Sequence, residues 1–316
     1  IFAMSTLLAS FHVTAAETIM PKPLKETVTY KRVGDLEIKA DVSYFRDAQI
    51  RPAVVWIHGG ALIMGSREGR FPWREMILTN GYVLVSLDYR LAPQAKLAEI
   101  ISDIEDAFDW LRREGAAKFH IDPERIAVMG GSAGGYLTLV TGHRVEPRPR
   151  ALVSLFGYGD IISEWYTEPS PHPRHNQKKV TEAEAWQAVE GPVLANDRQQ
   201  RNRGIFYNYC RQNGLWPKMV SDWDPHQEAQ KFFPFMPVKN VSAEYPPTVL
   251  IHGTADTDVP YEQSVLMAAE FKKHNVPSEF YTIQNGEHGL GGGDRAEVEK
   301  AYRGAFEFVK QRLEAK

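Results

Sequence analysis

The sequence predicts an α/β fold: a mostly parallel central sheet with helices on both faces and a helical cap inserted between core strands. Three observations predict it. Short apolar runs such as "AVVWIHGG", "YVLVSLDYR", "RIAVMGGS", "ALVSLFGYGD" and "TVLIHGTAD" each end in glycine or polar residues, as strands buried on both faces do. Helical patterns alternate with these runs, and repeated β-α units imply parallel strands with crossovers. One long stretch, residues 161–245, lacks any strand signal and is too large for a plain connection.

The elements follow in order. Val28 to Arg32 and Leu36 to Tyr44 alternate in polarity around Gly34-Asp35, which reads as a hairpin. Helices are expected over Phe71–Asn80, Leu97–Glu114, Ala133–His143, Tyr261–His274 and Asp294–Leu313; in the second, Ile100, Ile104, Ala107, Phe108 and Leu111 share a face. Within the long stretch, helices are expected at Glu182–Ala188 and around Arg198–Gln212. The opening "IFAMSTLLASFHVTAA" is apolar and free of charge until Glu17, and reads as the remnant of a secretory signal, with a disordered or helical extension as the alternative. Residues 17–316 then form a single catalytic domain, with its cap at about 161–245, in a secreted or periplasmic protein.

Composition excludes several classes. A formal net charge of −3 gives no basic field for nucleic acid or an anionic membrane. No stretch beyond the opening is long and apolar enough to span a bilayer. A single cysteine, Cys210, excludes an internal disulfide framework and a cysteine-based metal cluster. No cofactor motif is present, and the partner expected is a small-molecule or carbohydrate ester.

Chemistry in open α/β sheets gathers at the carboxyl ends of the strands. Those ends carry His58-Gly59-Gly60, Asp88-Tyr89-Arg90, Gly130-Gly131-Ser132, Asp256 and His288. Ser132 lies in Gly130-x-Ser132-x-Gly134, between the strand Arg125–Met129 and a helix from Ala133, the context a nucleophile elbow requires. A serine needs a base; His288, in the loop after the last core strand, is the candidate. The base needs a carboxylate to fix its tautomer. Asp256 stands nearest its strand end, with Asp258 as rival and Glu287 as a further alternative. Backbone N–H groups of Gly59, Gly60 and Ala133 would form the oxyanion hole. A metal site at His172, His175, Asp224 and His226 is the weaker idea, because the spacing matches no tight zinc pattern.

With these residues in hand, the chain resembles the α/β-hydrolase superfamily, and within it the hormone-sensitive-lipase-like and related secreted microbial carboxylesterases. The resemblance spans Lys31 to Leu313 and rests on "HGGA" at His58, "DYRLAP" at Asp88, "GGSAGG" at Gly130, "HGTADTDVP" at His252 and "GEHG" at Glu287. It implies a triad of Ser132, Asp256 and His288 and a serine esterase that works through an acyl-enzyme. It also implies that "DYRLAP" buttresses the site, with Asp88 and Arg90 as a structural ion pair. Two positions depart from the family pattern: Ala61 where a third glycine is common, and Gly131 where Asp is common. The alternatives are a prolyl-oligopeptidase-like serine peptidase and a non-catalytic binding protein on the same fold. The aromatics Trp165, Tyr166, Trp216, Trp223, Phe232 and Phe233 of the cap are candidates for lining the cleft.

Overall fold

The computed structural model of the protein describes residues 22–69, 71–200 and 202–315; the signal remnant expected at 1–16 lies outside them. Eight strands form one sheet in the order β1-β2-β4-β3-β5-β6-β7-β8. They are β1 (Leu24–Val33), β2 (Leu36–Tyr44), β3 (Arg51–Ile57), β4 (Val83–Leu87), β5 (Ile121–Gly131), β6 (Ala151–Leu155), β7 (Thr248–Gly253) and β8 (Ser278–Ile283). The β1–β2 hairpin is antiparallel, β2 meets β4 antiparallel, and every other pairing is parallel.

Strand periodicity divides the core in two. On β3, Ala53, Val55 and Ile57 enter one cluster while Val54 and Trp56 enter the other, as alternation on a pleated strand requires. The helices are α1 (Arg74–Thr79), α2 (Leu97–Trp110), α3 (Ala116–Phe119), α4 (Ala133–Arg144), α5 (Glu164–Thr167), α6 (Pro173–Asn176), α7 (Glu182–Ala188), α8 (Arg203–Asn213), α9 (Trp216–Ser221), α10 (Ala229–Phe232), α11 (Glu262–Lys273) and α12 (Arg295–Glu314). Residues of α2, α4 and α11 pack on the first face of the sheet, and those of α1 and α12 on the second.

Some boundaries differ from expectation. β5 begins at Ile121, four residues early, because Ile121 pairs with Arg51 of β3 before a register shift; the polar Asp122-Pro123-Glu124 hides that start from a hydrophobicity pattern. Helix α2 does not run unbroken to Glu114 but passes through a π-helical turn, Leu111–Gly115, before α3.

The 92 residues between β6 and β7, positions 156–247, carry α5 to α10. They dock by buried polar bonds as well as apolar contact. Arg203 of α8 is fully buried, and its guanidinium donates to the carbonyls of Ile63 (2.6 Å) and Ala92 (2.5 Å). The Trp216 indole N–H donates to the Ala61 carbonyl at 2.9 Å. Both tie this segment to the loop that follows β3.

Candidate active site

The turn after β5 holds Ser132 at φ 57°, ψ −124°, a conformation that costs a non-glycine residue about 1–3 kcal/mol and persists only where its surroundings enforce it. The surroundings are close-packed backbone. A Cβ on Gly130 would lie 2.2 Å from the Gly134 carbonyl oxygen, and one on Gly134 would lie 2.1 Å from that of Ile57. The Ser132 N–H donates to the Leu155 carbonyl (2.9 Å), locking the turn to β6. Ala133 opens α4, so its N–H belongs to the first turn, which has no intrahelical acceptor.

Gly131 has a physical account in this chain. The Phe156 ring occupies the space beside it, 3.2 Å from where a Cβ would stand. Gly59 abuts the elbow from β3, where a Cβ would meet the Gly131 carbonyl oxygen at 2.7 Å and the Ser132 Cβ at 3.1 Å. The loop then turns on Gly60, whose carbonyl accepts from Ile63 and Met64 N–H at 2.9 Å, with Ala61 and Leu62 at φ 55° and 62°. His58 stacks on Tyr89 with centroids 4.2 Å apart, and Tyr89 Oη donates to the His58 carbonyl at 2.9 Å.

Asp256 and His288 meet directly. His288 Nδ1 lies 2.7 Å from Asp256 Oδ2, while Asp256 Oδ1 accepts the N–H groups of Asp258 and Val259 at 2.8 and 2.9 Å. A second imidazole flanks the carboxylate: His252 Nε2 is 3.2 Å from Oδ2, and its Nδ1 is 2.7 Å from Ser264 Oγ. Burial raises the Asp256 pKa, but hydrogen bonds from His252 and His288 outweigh it and bring the value down to about 2. For His288, burial pulls downward; the Asp256 bond and the charges of Asp258 and Asp256 prevail, and its pKa rises above 6.5.

Asp258 takes a different place. Its Oδ1 accepts from His175 Nε2 (2.9 Å) and Tyr207 Oη (2.6 Å), and its Oδ2 lies 3.7 Å from His288 Nε2. Glu287 clamps loops together: it accepts from Thr257 N–H (2.8 Å), His288 N–H (2.5 Å) and Arg174 Nη1 (2.6 Å). Sequence reasoning missed the roles of His175 and Arg174, which α6 brings from far along the chain. His252, four residues before Asp256, carried a signal in its spacing.

Ser132 and the residue after His288, Gly289, line one cavity of about 910 Å³ together with Gly59, Trp56, Phe71 and Tyr302. The Phe156 ring, also on this cavity, packs 4.9 Å from the His288 ring. Among the described residues, no hydrogen bond joins Ser132 Oγ to His288.

Two expectations need correction. Asp88 and Arg90 do not pair: Asp88 accepts from Arg67, including its backbone N–H at 2.7 Å, and Arg90 binds Asp103 at 2.8 Å and Glu99 at 2.8 Å. The six cap aromatics do not line this cavity. Tyr166, Trp216 and Phe232 are buried, and Trp216 stacks on Tyr166 with centroids 4.0 Å apart, so they hold the segment to the core. His172, His175, Asp224 and His226 form no metal cluster among the described residues. No described helix is long and apolar enough to cross a membrane.

Comparison with known proteins bears on the fold. The BD-FAE family model matches residues 43–186, and the model of the prolyl oligopeptidase family matches 208–316. In structure, the chain is similar to Thermogutta terrifontis esterase 2 phosphoramylated by tabun, at 23% identity, TM-score 0.64, covering 94% of this chain and 98% of that one. It is also similar to an acetyl ester-xyloside bifunctional hydrolase from Caldicellulosiruptor lactoaceticus, at 20% identity, TM-score 0.67, covering 93% and 98%. The chain has the α/β-hydrolase fold. Among curated relatives, the chain is 26% identical to the non-reducing polyketide synthase adrD of Penicillium rubens over 84% of its own length. It spans only 12% of that synthase.

Proposed function

We propose that this α/β-hydrolase is a serine carboxylic-ester hydrolase acting on small or carbohydrate-linked acyl esters through an acyl-enzyme. The observation that carries the reading is the strained Ser132 at a strand-to-helix turn, on one cavity with the loop of a histidine whose Nδ1 is held by a buried aspartate. Ser132 Oγ attacks the ester carbonyl carbon while His288 Nε2 takes its proton. Asp256 keeps the proton on Nδ1 and stabilises the imidazolium. The N–H groups of Gly59, Gly60 and Ala133 receive the oxyanion. Collapse breaks the bond to the alcohol, which leaves with the proton from Nε2. Water then attacks the acyl-enzyme, giving its proton to His288, and the carboxylic acid leaves as Ser132 recovers a proton. Catalytic hydrogen bonds are often long in a free enzyme and tighten when substrate binds, which fits the open Ser132–His288 geometry. The apolar, small-residue opening of the sequence supports a secreted or periplasmic location.

The test is hydrolysis of short-chain acyl esters by the wild type and by Ser132→Ala, with organophosphonate labelling of the serine. Turnover that survives in Ser132→Ala rejects the mechanism, and absence of both turnover and labelling favours a binding protein on this fold. A serine peptidase is the second reading, favoured by the prolyl oligopeptidase family match over the region holding Asp256 and His288. Cleavage of peptide amides at rates rivalling esters would select it.

A further inference from the structure

On the reading above, the leaving alcohol must take its proton from His288 Nε2, so whatever stands beside Nε2 faces the alcohol. Asp258 Oδ2 stands there, at 3.7 Å. Its carboxylate is fixed by residues from the inserted segment, because His175 Nε2 and Tyr207 Oη both donate to Oδ1. His175 is itself buried and set by Ser170, with Oγ 2.7 Å from Nδ1. Among the described residues, Oδ2 accepts no hydrogen bond; Nη2 of its cationic neighbour Arg174 lies 3.7 Å away, while Nη1 of the same guanidinium binds Glu287 at 2.6 Å. Asp258 lines a cavity of about 540 Å³ that shares no lining residue with the aromatic one, and whose wall also includes Met64, Asn202 and Asn208.

We propose that Asp258 is a specificity residue for the alcohol half of the ester, accepting a hydrogen bond from a second hydroxyl adjacent to the esterified oxygen. An anionic acceptor with free lone pairs repels ether and carbonyl oxygens and rewards an O–H donor. Arg174 on the same cavity wall makes a cationic donor the poorer fit, so the donor is a neutral hydroxyl. The carboxamides of Asn202 and Asn208 can serve further hydroxyls of the same alcohol. The chemistry selected is a vicinal polyol ester, whether of a glycerol or of a partly acylated sugar. The acyl group, in contrast, faces the aromatic cavity at Trp56, Phe71 and Phe156.

The experiment compares 2-hydroxypropyl acetate with 2-methoxypropyl acetate, which share the acyl group and differ by the donor. The wild type is expected to prefer the hydroxy ester in kcat/KM by roughly tenfold or more, the worth of one hydrogen bond to a charged acceptor. In Asp258→Asn the ratio falls toward one. Equal rates for the two esters in the wild type overturn the proposal without any variant. A ratio that survives in Asp258→Asn, whatever happens to absolute rates, overturns it as well, since Asp258 would then act only through His288 or the fold. Failure of the wild type to hydrolyse either ester, or phenyl acetate, rejects the esterase reading instead. Glycerol 1-acetate and a mono-O-acetyl methyl pyranoside complete the set: whichever exceeds the methoxy ester supports the subsite and names its source.

Discussion

Ser132, Asp256 and His288 lie 156 positions apart from first to last, yet each follows a strand, and strand ends are readable from short apolar runs. That is why these three positions could be singled out from sequence, while Asp258 stood only as a rival acid, His175 only as a weak metal-ligand candidate and Tyr207 not at all: their mutual contacts depend on where α6 and α8 settle over the sheet. Ser132→Ala is expected to lower kcat/KM for short esters by at least about a thousandfold, with an unchanged melting temperature; scanning calorimetry beside the assay checks both. The histidine makes a pH prediction. A base must be neutral, so activity should fall as pH drops through the His288 pKa, and that midpoint should lie above 6.5. Asp256 and Asp258 hold it up and Arg174 pulls it down. Asp258→Asn removes an anion 3.7 Å from Nε2, so the acid limb of its pH–rate profile should move to lower pH. A limb that stays put or rises would contradict the geometry.

At the scale of elements, the parallel strands and the long helices α2, α4, α11 and α12 were legible because tertiary burial and local pattern agree there. The segment between β6 and β7 was legible only as a strandless stretch with two helices. Its aromatics suggested a cleft, but their packing partners are one another and the core: Trp165 stacks on Tyr166 and Tyr166 on Trp216. Trp216 has a more specific use, since its indole N–H holds the Ala61 carbonyl beside two residues in left-handed conformation. Trp216→Phe keeps an aromatic ring in the stack but deletes that bond and part of a fully buried side chain. It should cost about 2 kcal/mol or more of stability and lower kcat more than it raises KM, because the loop it restrains carries Gly59 and Gly60. Chemical denaturation and steady-state kinetics on one ester measure the two effects.

Across the whole molecule, buried titratable groups should give stability a two-stage dependence on acid. His58, His143 and His175 have pKa values pulled below 6.5 in the fold, chiefly by burial, His143 to about 4. Each stabilises the fold fully above 6.5 and loses that contribution as pH falls toward its folded value. His288, shifted upward, works in the opposite sense, contributing below 6.5 and losing the contribution as pH rises through its folded value. Asp41, Asp122, Asp256 and Asp258 are all lowered from 3.8. Their contribution is present above that value and is lost as pH falls through their lowered folded values, about 2 for Asp256. The denaturant midpoint should therefore decline gently from pH 6.5 to 4 and steeply below; a midpoint flat down to pH 4 would contradict the histidine assignments. The insert leaves and rejoins the sheet at adjacent strands, with Leu155 opposite Ile251 in register, and this has a consequence for modularity. A cassette cut at these two strands could be exchanged as a unit between proteins of this architecture. It would bring the donors His175 and Tyr207 that orient the host's Asp258, but only a cassette that also keeps Arg203 and Trp216 would leave the host's loop after β3 in shape.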